Sequence, residues 1–267
     1  MSREFVRITI LIAMIFFGSE EISSARTCGN QDFNGVYGTL AEGTVLNAPA
    51  PSLTGPFARM GRGVADGRGN FTAQTIDSFN GTITTADFAG TYVVSSDCRI
   101  TLNLLVPLPQ VPFLVPFTFE GALADNGREA TVMVADPPGA AIRVQLSQQN
   151  RGRCSNQDLN KSFRVSLGGS IISQPPNSPG FFTRVGTMTF DGDGRFTANT
   201  SVSYNGLIAT ESFSGTYAVD ALCFLTIRYT LGQQYVWSGF LTFNSDSANL
   251  LVTAPAGAVV TGTLKEQ

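Results

Sequence analysis

The chain has 267 residues, 43% hydrophobic and only 14% charged, with 17 basic against 20 acidic side chains and no histidine. A net charge of -3 and just two lysines, Lys161 and Lys265, argue against a phosphate-tracking surface and so against nucleic acid as a partner. Without histidine there is no Ser-His-Asp or Cys-His nucleophile system and no His-containing zinc site, so no catalytic residue, metal or cofactor is assigned.

Arg3 and Arg7 precede the apolar run Ile8 to Phe17, which gives way to Gly18, a polar stretch and the small-residue pattern Ser23-Ser24-Ala25. Residues 1–25 are therefore expected to be a secretory signal peptide. An apolar run of about 10 residues is half of what spans a bilayer, so no transmembrane anchor is expected after processing. Cys28 is preceded by Thr27, where a lipid-attachment motif wants Gly, Ala or Ser. The expected location is extracellular or periplasmic.

Residues 26–149 form a first copy of a repeated unit. Strands are expected near 35–42, 57–65, 71–79, 83–95, 99–106, 115–124, 129–135 and 140–147, from period-2 alternation punctuated by glycine turns at Asp66-Gly67, Asn80-Gly81 and Asn126-Gly127. No segment of ten or more residues has helical period. In an up-and-down meander, the start of the chain shares one end with the turns after strands two, four and six. Cys28 and Cys98 then fall at the same end, as a disulfide requires. The opposite end carries long proline-rich loops, Asn47 to Pro56 and Pro107 to Pro116, placed where a barrel would admit something.

On strand two, Arg59 has inward parity. If Ala65 pairs with Phe71, the hairpin register sets Arg59 opposite Asp77, giving an inward charge a partner. A structural ion pair is one reading of this. An anchor for the head group of an apolar ligand is the other. Phe71, Phe79, Phe88 and Tyr92 share the inward parity and read as core filling.

Residues 150–267 repeat the unit. Between 61–101 and 186–226, 20 of 41 positions are identical, and Cys28-x-Asn30-Gln31-Asp32 recurs as Cys154-x-Asn156-Gln157-Asp158. Four cysteines allow three connectivities, and only Cys28–Cys98 with Cys154–Cys223 repeats symmetrically. Closing a loop of roughly 70 residues stabilises each copy by about 4 kcal/mol in the chain-entropy picture. Asp191-Gly-Asp193-Gly194 has the start of a calcium loop but not its later ligands, and reads as a hairpin turn. Arg184 matches Arg59, but Val202 replaces Asp77, leaving Glu211 on the next strand as the nearest carboxylate. Trp237 and Tyr235 lie where the first copy carries an insertion of seven residues, which makes Trp237 a further candidate for ligand contact. Asn70, Asn80, Asn160 and Asn199 begin glycosylation sequons that matter only in a eukaryotic secretory route.

The combined motif Asp-Gly-x-Gly-x-Phe-Thr, Asn-Gly, Phe-x-Gly-Thr-Tyr-x-Val and Cys, ending in Thr261-Gly262-Thr263-Leu264-Lys265, resembles secreted bacterial proteins of unknown function from soil organisms such as acidobacteria. The resemblance covers both copies; it implies secretion and a small β-barrel and carries over no catalytic residue. By architecture alone the unit is similar to lipocalin, avidin and allene oxide cyclase barrels, without their sequence signatures.

The expected fold is all-β: two tandem antiparallel up-and-down barrels of about eight strands, calycin-like, each with one disulfide. A β-sandwich, with the copies interlocked around no cavity, is the alternative. The expected function is non-enzymatic binding of an apolar small molecule, glycan or surface protein, with Arg59, Asp77, Arg184, Glu211 and Trp237 as candidate contacts. An isomerase, cyclase or hydrolase working through Asp77, Glu120 and Glu211 is the competing class, and an unpaired carboxylate in an open polar cavity would mark it.

Overall fold

The computed structural model describes residues 27–149, 153–173, 179–242 and 245–267. The expected signal peptide, part of the expected junction between the copies and residues 174–178 of the proline-rich stretch in the second copy lie outside these residues. The first copy is a closed barrel of eight antiparallel strands, β1 (Asn34–Val45), β2 (Gly55–Asp66), β3 (Asn70–Phe79), β4 (Thr82–Val94), β5 (Arg99–Pro107), β6 (Leu114–Ala124), β7 (Glu129–Asp136) and β8 (Ala140–Gln148). The second is a closed barrel of β9 (Ser162–Ile171), β10 (Gly180–Phe190), β11 (Arg195–Tyr204), β12 (Leu207–Val219), β13 (Phe224–Leu231), β14 (Gln233–Leu241), β15 (Ser247–Ala254) and β16 (Ala258–Glu266). Each strand pairs with the next and the last with the first. Closure leaves no free sheet edge, and it excludes the sandwich alternative.

Local sequence explains the strands. In β11 the buried residues Phe196, Ala198, Thr200 and Val202 alternate with the exposed Arg195, Thr197, Asn199 and Ser201, as a half-buried strand requires. The Asp66 and Asp191 carboxylates cap their own hairpins, accepting backbone N–H groups two and four residues on at 2.7–2.9 Å. Together with the Asn70 amide, these bonds hold Asp66 down at about 2. Asp191 thus serves as a turn residue here.

The disulfides Cys28–Cys98 and Cys154–Cys223 tie the segment before each barrel to the turn after its fourth strand. Short 3-10 turns at Asn30–Asp32 and Asn156–Leu159 cross this end of each barrel. The Asn30 side chain accepts the Val94 N–H at 2.7 Å, and Asn156 accepts that of Val219 at 2.8 Å. Behind them, Phe33, Tyr37, Phe71 and Tyr92 pack as one aromatic plug in barrel 1, with Tyr37 donating to the Gly127 carbonyl. Leu159, Phe163, Phe190, Phe196 and Tyr217 fill the same place in barrel 2.

The barrels lie side by side. Leu40, Ala58 and Met60 on the outside of barrel 1 bury themselves against Phe240, Leu251 and Val259 of barrel 2. Thr261 donates to the Glu42 carboxylate at 3.0 Å and Ser78 to the Ala258 carbonyl at 3.0 Å. At the end away from the disulfides the Gly257 N–H donates to the Gly81 carbonyl. Both glycines have positive φ, and a Cβ on Gly81 would come within 2.7 Å of the Gly257 backbone, so only glycine allows this approach. Because both turns follow an odd-numbered strand of their barrel, the two open ends face the same side of the molecule.

Candidate functional site

Barrel 1 holds an apolar cavity of about 130 Å³ running from its open end toward the aromatic plug, bounded by Phe57, Phe79, Phe88, Leu104, Phe117 and Phe119 among others. Three features give it a polar contour. Arg59 and Thr39 line it, and Asn47 stands at its rim. The loop between β1 and β2 folds over the opening, where Leu53 is buried against Ala41, Phe57 and Phe79. Ser52 on that loop donates to the Gln110 side chain of the β5–β6 loop at 2.9 Å, fastening the two proline-stiffened covers together.

The register sets Arg59 directly opposite Asp77. Its Nε and Nη2 donate to the two carboxylate oxygens at 2.7 Å each, a bidentate pair with Asp77 fully buried. The guanidinium also lies over the Phe88 ring, 4.9 Å from its centroid. Its third nitrogen, Nη1, has no hydrogen-bond partner among the described residues. The Thr39 hydroxyl is buried and likewise unpartnered. Two donors without protein acceptors therefore border an otherwise apolar space.

Barrel 2 uses the same positions differently. Arg184 sits opposite Val202 and reaches across to Glu211 on β12, with which it forms an ion pair whose arginine is buried and whose carboxylate is partly buried. It also donates to the Tyr229 hydroxyl at 2.8 Å and contacts that of Tyr204. Burial works against its charge, but Tyr229 and Glu211 outweigh it and keep its pKa above the ordinary arginine value. Burial pushes Tyr204 up to about 12 and raises Tyr229 as well. Trp237, 1% exposed, packs edge-on to Tyr229, which in turn stacks on Tyr235 and Phe213. What remains is a void of about 20 Å³.

The pairing of Arg59 with Asp77, and of Arg184 with Glu211, follows the sequence reading. Glu120 departs from it: it is exposed on the outer face of β6 and lines the groove between the barrels, because Phe119 takes the inward parity. Tyr229 and Leu53 escaped sequence reasoning. Tyr229 carried a signal, since it replaces Leu104 at a matching inward position, whereas Leu53 lies in an irregular loop without one.

No family model matches this chain, and no curated protein does. Among solved structures, the chain is similar to isotype 1 transferrin binding protein B from serogroup B Neisseria meningitidis. The identity is 7% and the TM-score 0.32, over 87% of this chain and 75% of that one. It is also similar to a protein of unknown function from the DUF3598 family of Nostoc punctiforme, at 12% identity and a TM-score of 0.25, over 89% and 98%.

Proposed function

We propose that this is a secreted, non-enzymatic binding protein in which barrel 1 takes up a small apolar molecule. The observation that carries this reading is the apolar cavity of about 130 Å³ in barrel 1, against about 20 Å³ in barrel 2. A dry cavity of this scale suits a benzene-sized molecule. A void of about 20 Å³ has room for little more than one water.

The polar groups refine the choice. Asp77 neutralises Arg59, so a carboxylate ligand would meet a carboxylate already in place. A neutral molecule with one acceptor oxygen fits better, since Arg59 Nη1 and the Thr39 hydroxyl can donate to it. In barrel 2, Arg184, Glu211 and Trp237 serve packing, with uptake requiring the tyrosine stack to part. The carboxylate-enzyme reading loses support, because Asp77 and Glu211 are each paired with arginine and Glu120 points outward. Secretion is supported by the two disulfides, which persist in oxidising compartments.

The test is thermal unfolding with toluene and benzyl alcohol as probes, beside native mass spectrometry of the protein from its own cells before and after organic extraction. Binding raises the melting temperature in proportion to the logarithm of probe concentration. Benzyl alcohol, carrying the acceptor, should bind more tightly than toluene. The double substitution Leu104→Tyr with Phe119→Trp should abolish both responses. No shift with either probe, and no extractable companion mass, would sink the proposal.

A further inference from the structure

Charge is sorted along the barrel axis. The described connections at the open ends, 46–54, 80–81, 108–113, 137–139, 205–206, 232 and 255–257, contain no Asp, Glu, Lys or Arg. Those at the disulfide ends, 67–69, 95–98, 125–128, 153–161, 191–194 and 220–223, each contain at least one. Every described proline stands in an open-end connection or within three residues of one, so these loops are stiff as well as uncharged.

Large apolar side chains are exposed at the same places. Leu46 is 66% exposed, Phe113 62%, Leu114 53%, Phe181 79%, Leu207 78% and Ile208 82%. Five of the six lie within two residues of these connections and Phe181 lies two residues after Pro179, which precedes β10, giving three on each barrel. At the disulfide ends, Val93 and Leu222 are solitary, each close in sequence to an aspartate. Because the Gly81–Gly257 contact turns both open ends to one side, the six side chains belong to one face.

We infer that this face docks on the surface of a lipid bilayer, inserting the loop-tip side chains among the head groups. A protein interface gathers its aromatic and arginine anchors into one central patch within a polar rim. Here the apolar side chains stand at four separate connections, no described open-end connection supplies an arginine, and exposed Asp136 is the one charged residue within two positions of those connections among the described residues. Isolated Leu, Ile and Phe tips surrounded by Ser, Thr, Asn and Gln match the boundary between head groups and acyl chains. With no lysine or arginine to attract anionic lipid, binding should depend on apolar insertion and not on membrane charge. The covered opening of barrel 1 lies on this face too, so an apolar molecule dissolved in the bilayer would reach it without crossing water. The docking inference rests on the charge pattern and stands whether or not the cavity is filled.

The experiment is flotation of the protein, as its own cells produce it, with phosphatidylcholine vesicles. Bound protein should change less than about twofold between low and high salt, since charge plays no part. Leu207→Asp with Ile208→Asp should lower partitioning by about tenfold or more, and Phe113→Asp by a smaller factor. Leu222→Asp, at a leucine 56% exposed at the disulfide end, should leave it unchanged. Near-ultraviolet circular dichroism checks that each variant is folded. Three results would overturn the inference: no flotation, flotation that needs anionic lipid and collapses in salt, or flotation indifferent to the tip substitutions. A self-association through this face, seen as doubled mass without flotation, would overturn it as well. The Leu104→Tyr, Phe119→Trp protein should lose probe uptake and keep flotation, which separates failure of the cavity from failure of the docking face.

Discussion

Barrel 1 and barrel 2 share their strand count, their disulfide and even their irregularities, such as the bulge at Thr118/Phe119 that recurs at Val236/Trp237. Their interiors nevertheless diverge at matching positions. Leu102 faces Phe119 where Ile227 faces Trp237, and Leu104 faces Phe117 where Tyr229 faces Tyr235. Phe79 is matched by Tyr204. Apart from Leu102 to Ile227, each exchange adds volume or a hydroxyl to barrel 2, and together they turn a hollow interior into a packed one. The buried arginine is kept in both, but its carboxylate moves from β3 to β12, as Asp77 becomes Val202 and Ala86 becomes Glu211. In barrel 1 the pair is self-contained and leaves Arg59 Nη1 without a hydrogen-bond partner among the described residues. In barrel 2 the guanidinium is drawn into a tyrosine network, with its Nε left unpartnered. A duplicated scaffold can thus keep its closure while one copy stays open inside and the other becomes solid.

The sharpest break of this comparison is Asp77→Ala. It strands a buried guanidinium and should cost barrel 1 about 3–5 kcal/mol. Trp237 is the single tryptophan and sits in barrel 2, so its fluorescence reports that barrel alone. The expected urea profile is an early transition in far-ultraviolet circular dichroism with little change in the Trp237 transition. Coincident loss of both signals would mean that the barrels unfold as one unit, stapled by the Leu40–Phe240 interface.

A gentler intervention copies barrel 2 into barrel 1. Leu104→Tyr with Phe119→Trp should recover part of the cavity cost, which at about 24 cal/mol per Å³ reaches about 3 kcal/mol for 130 Å³. A net gain of about 1–2 kcal/mol is expected once imperfect fit is allowed for. Destabilisation would mean that barrel 1 is already tightly packed. Fluorescence of the new tryptophan overlaps that of Trp237, so circular dichroism is the readout.

The last difference is silent at neutral pH. Tyr204, held at about 12, and Tyr229, also raised, remain protonated in the folded barrel above pH 10, where an unfolded tyrosine ionises. Their folded-state pKa values lie above the unfolded value, so their contribution is complete below pH 10. It falls away as pH rises through about 12. Barrel 1 has Phe79 and Leu104 at these positions and should keep its urea midpoint across this window better than barrel 2. Equal alkaline loss in both barrels would trace the effect to Tyr92 and Tyr217, which the copies share and whose pKa values are also raised.

Much of this was legible along the chain. Alternation and glycine turns placed each first-copy strand to within a few residues, and hairpin arithmetic put Arg59 opposite Asp77, because register in a tight hairpin is a local property. β1, β2, β14, β15 and β16 were harder to read for their outer faces. Runs such as Leu250-Leu251-Val252 are buried on both sides, and this marks the contact between barrels. The volume of each interior was not legible, since Leu104, Phe119 and Phe79 come from separate strands and act only as a sum. The burial of Leu53 was hidden because an irregular loop has no period that reveals which side chain turns inward.

By itself the sequence determined two units of about eight strands and the symmetric disulfide pairing, and it set Arg59 opposite Asp77 by hairpin register, since these follow from alternation, turn chemistry and a repeat that doubles every signal. Tertiary structure alone decided that one barrel is hollow and the other solid. It also decided that both open ends, whose described connections carry no charge, face the same side. Cavity volume and the placement of one barrel on another depend on how residues remote in sequence fill shared space, and close packing settles that only once the sheets have closed.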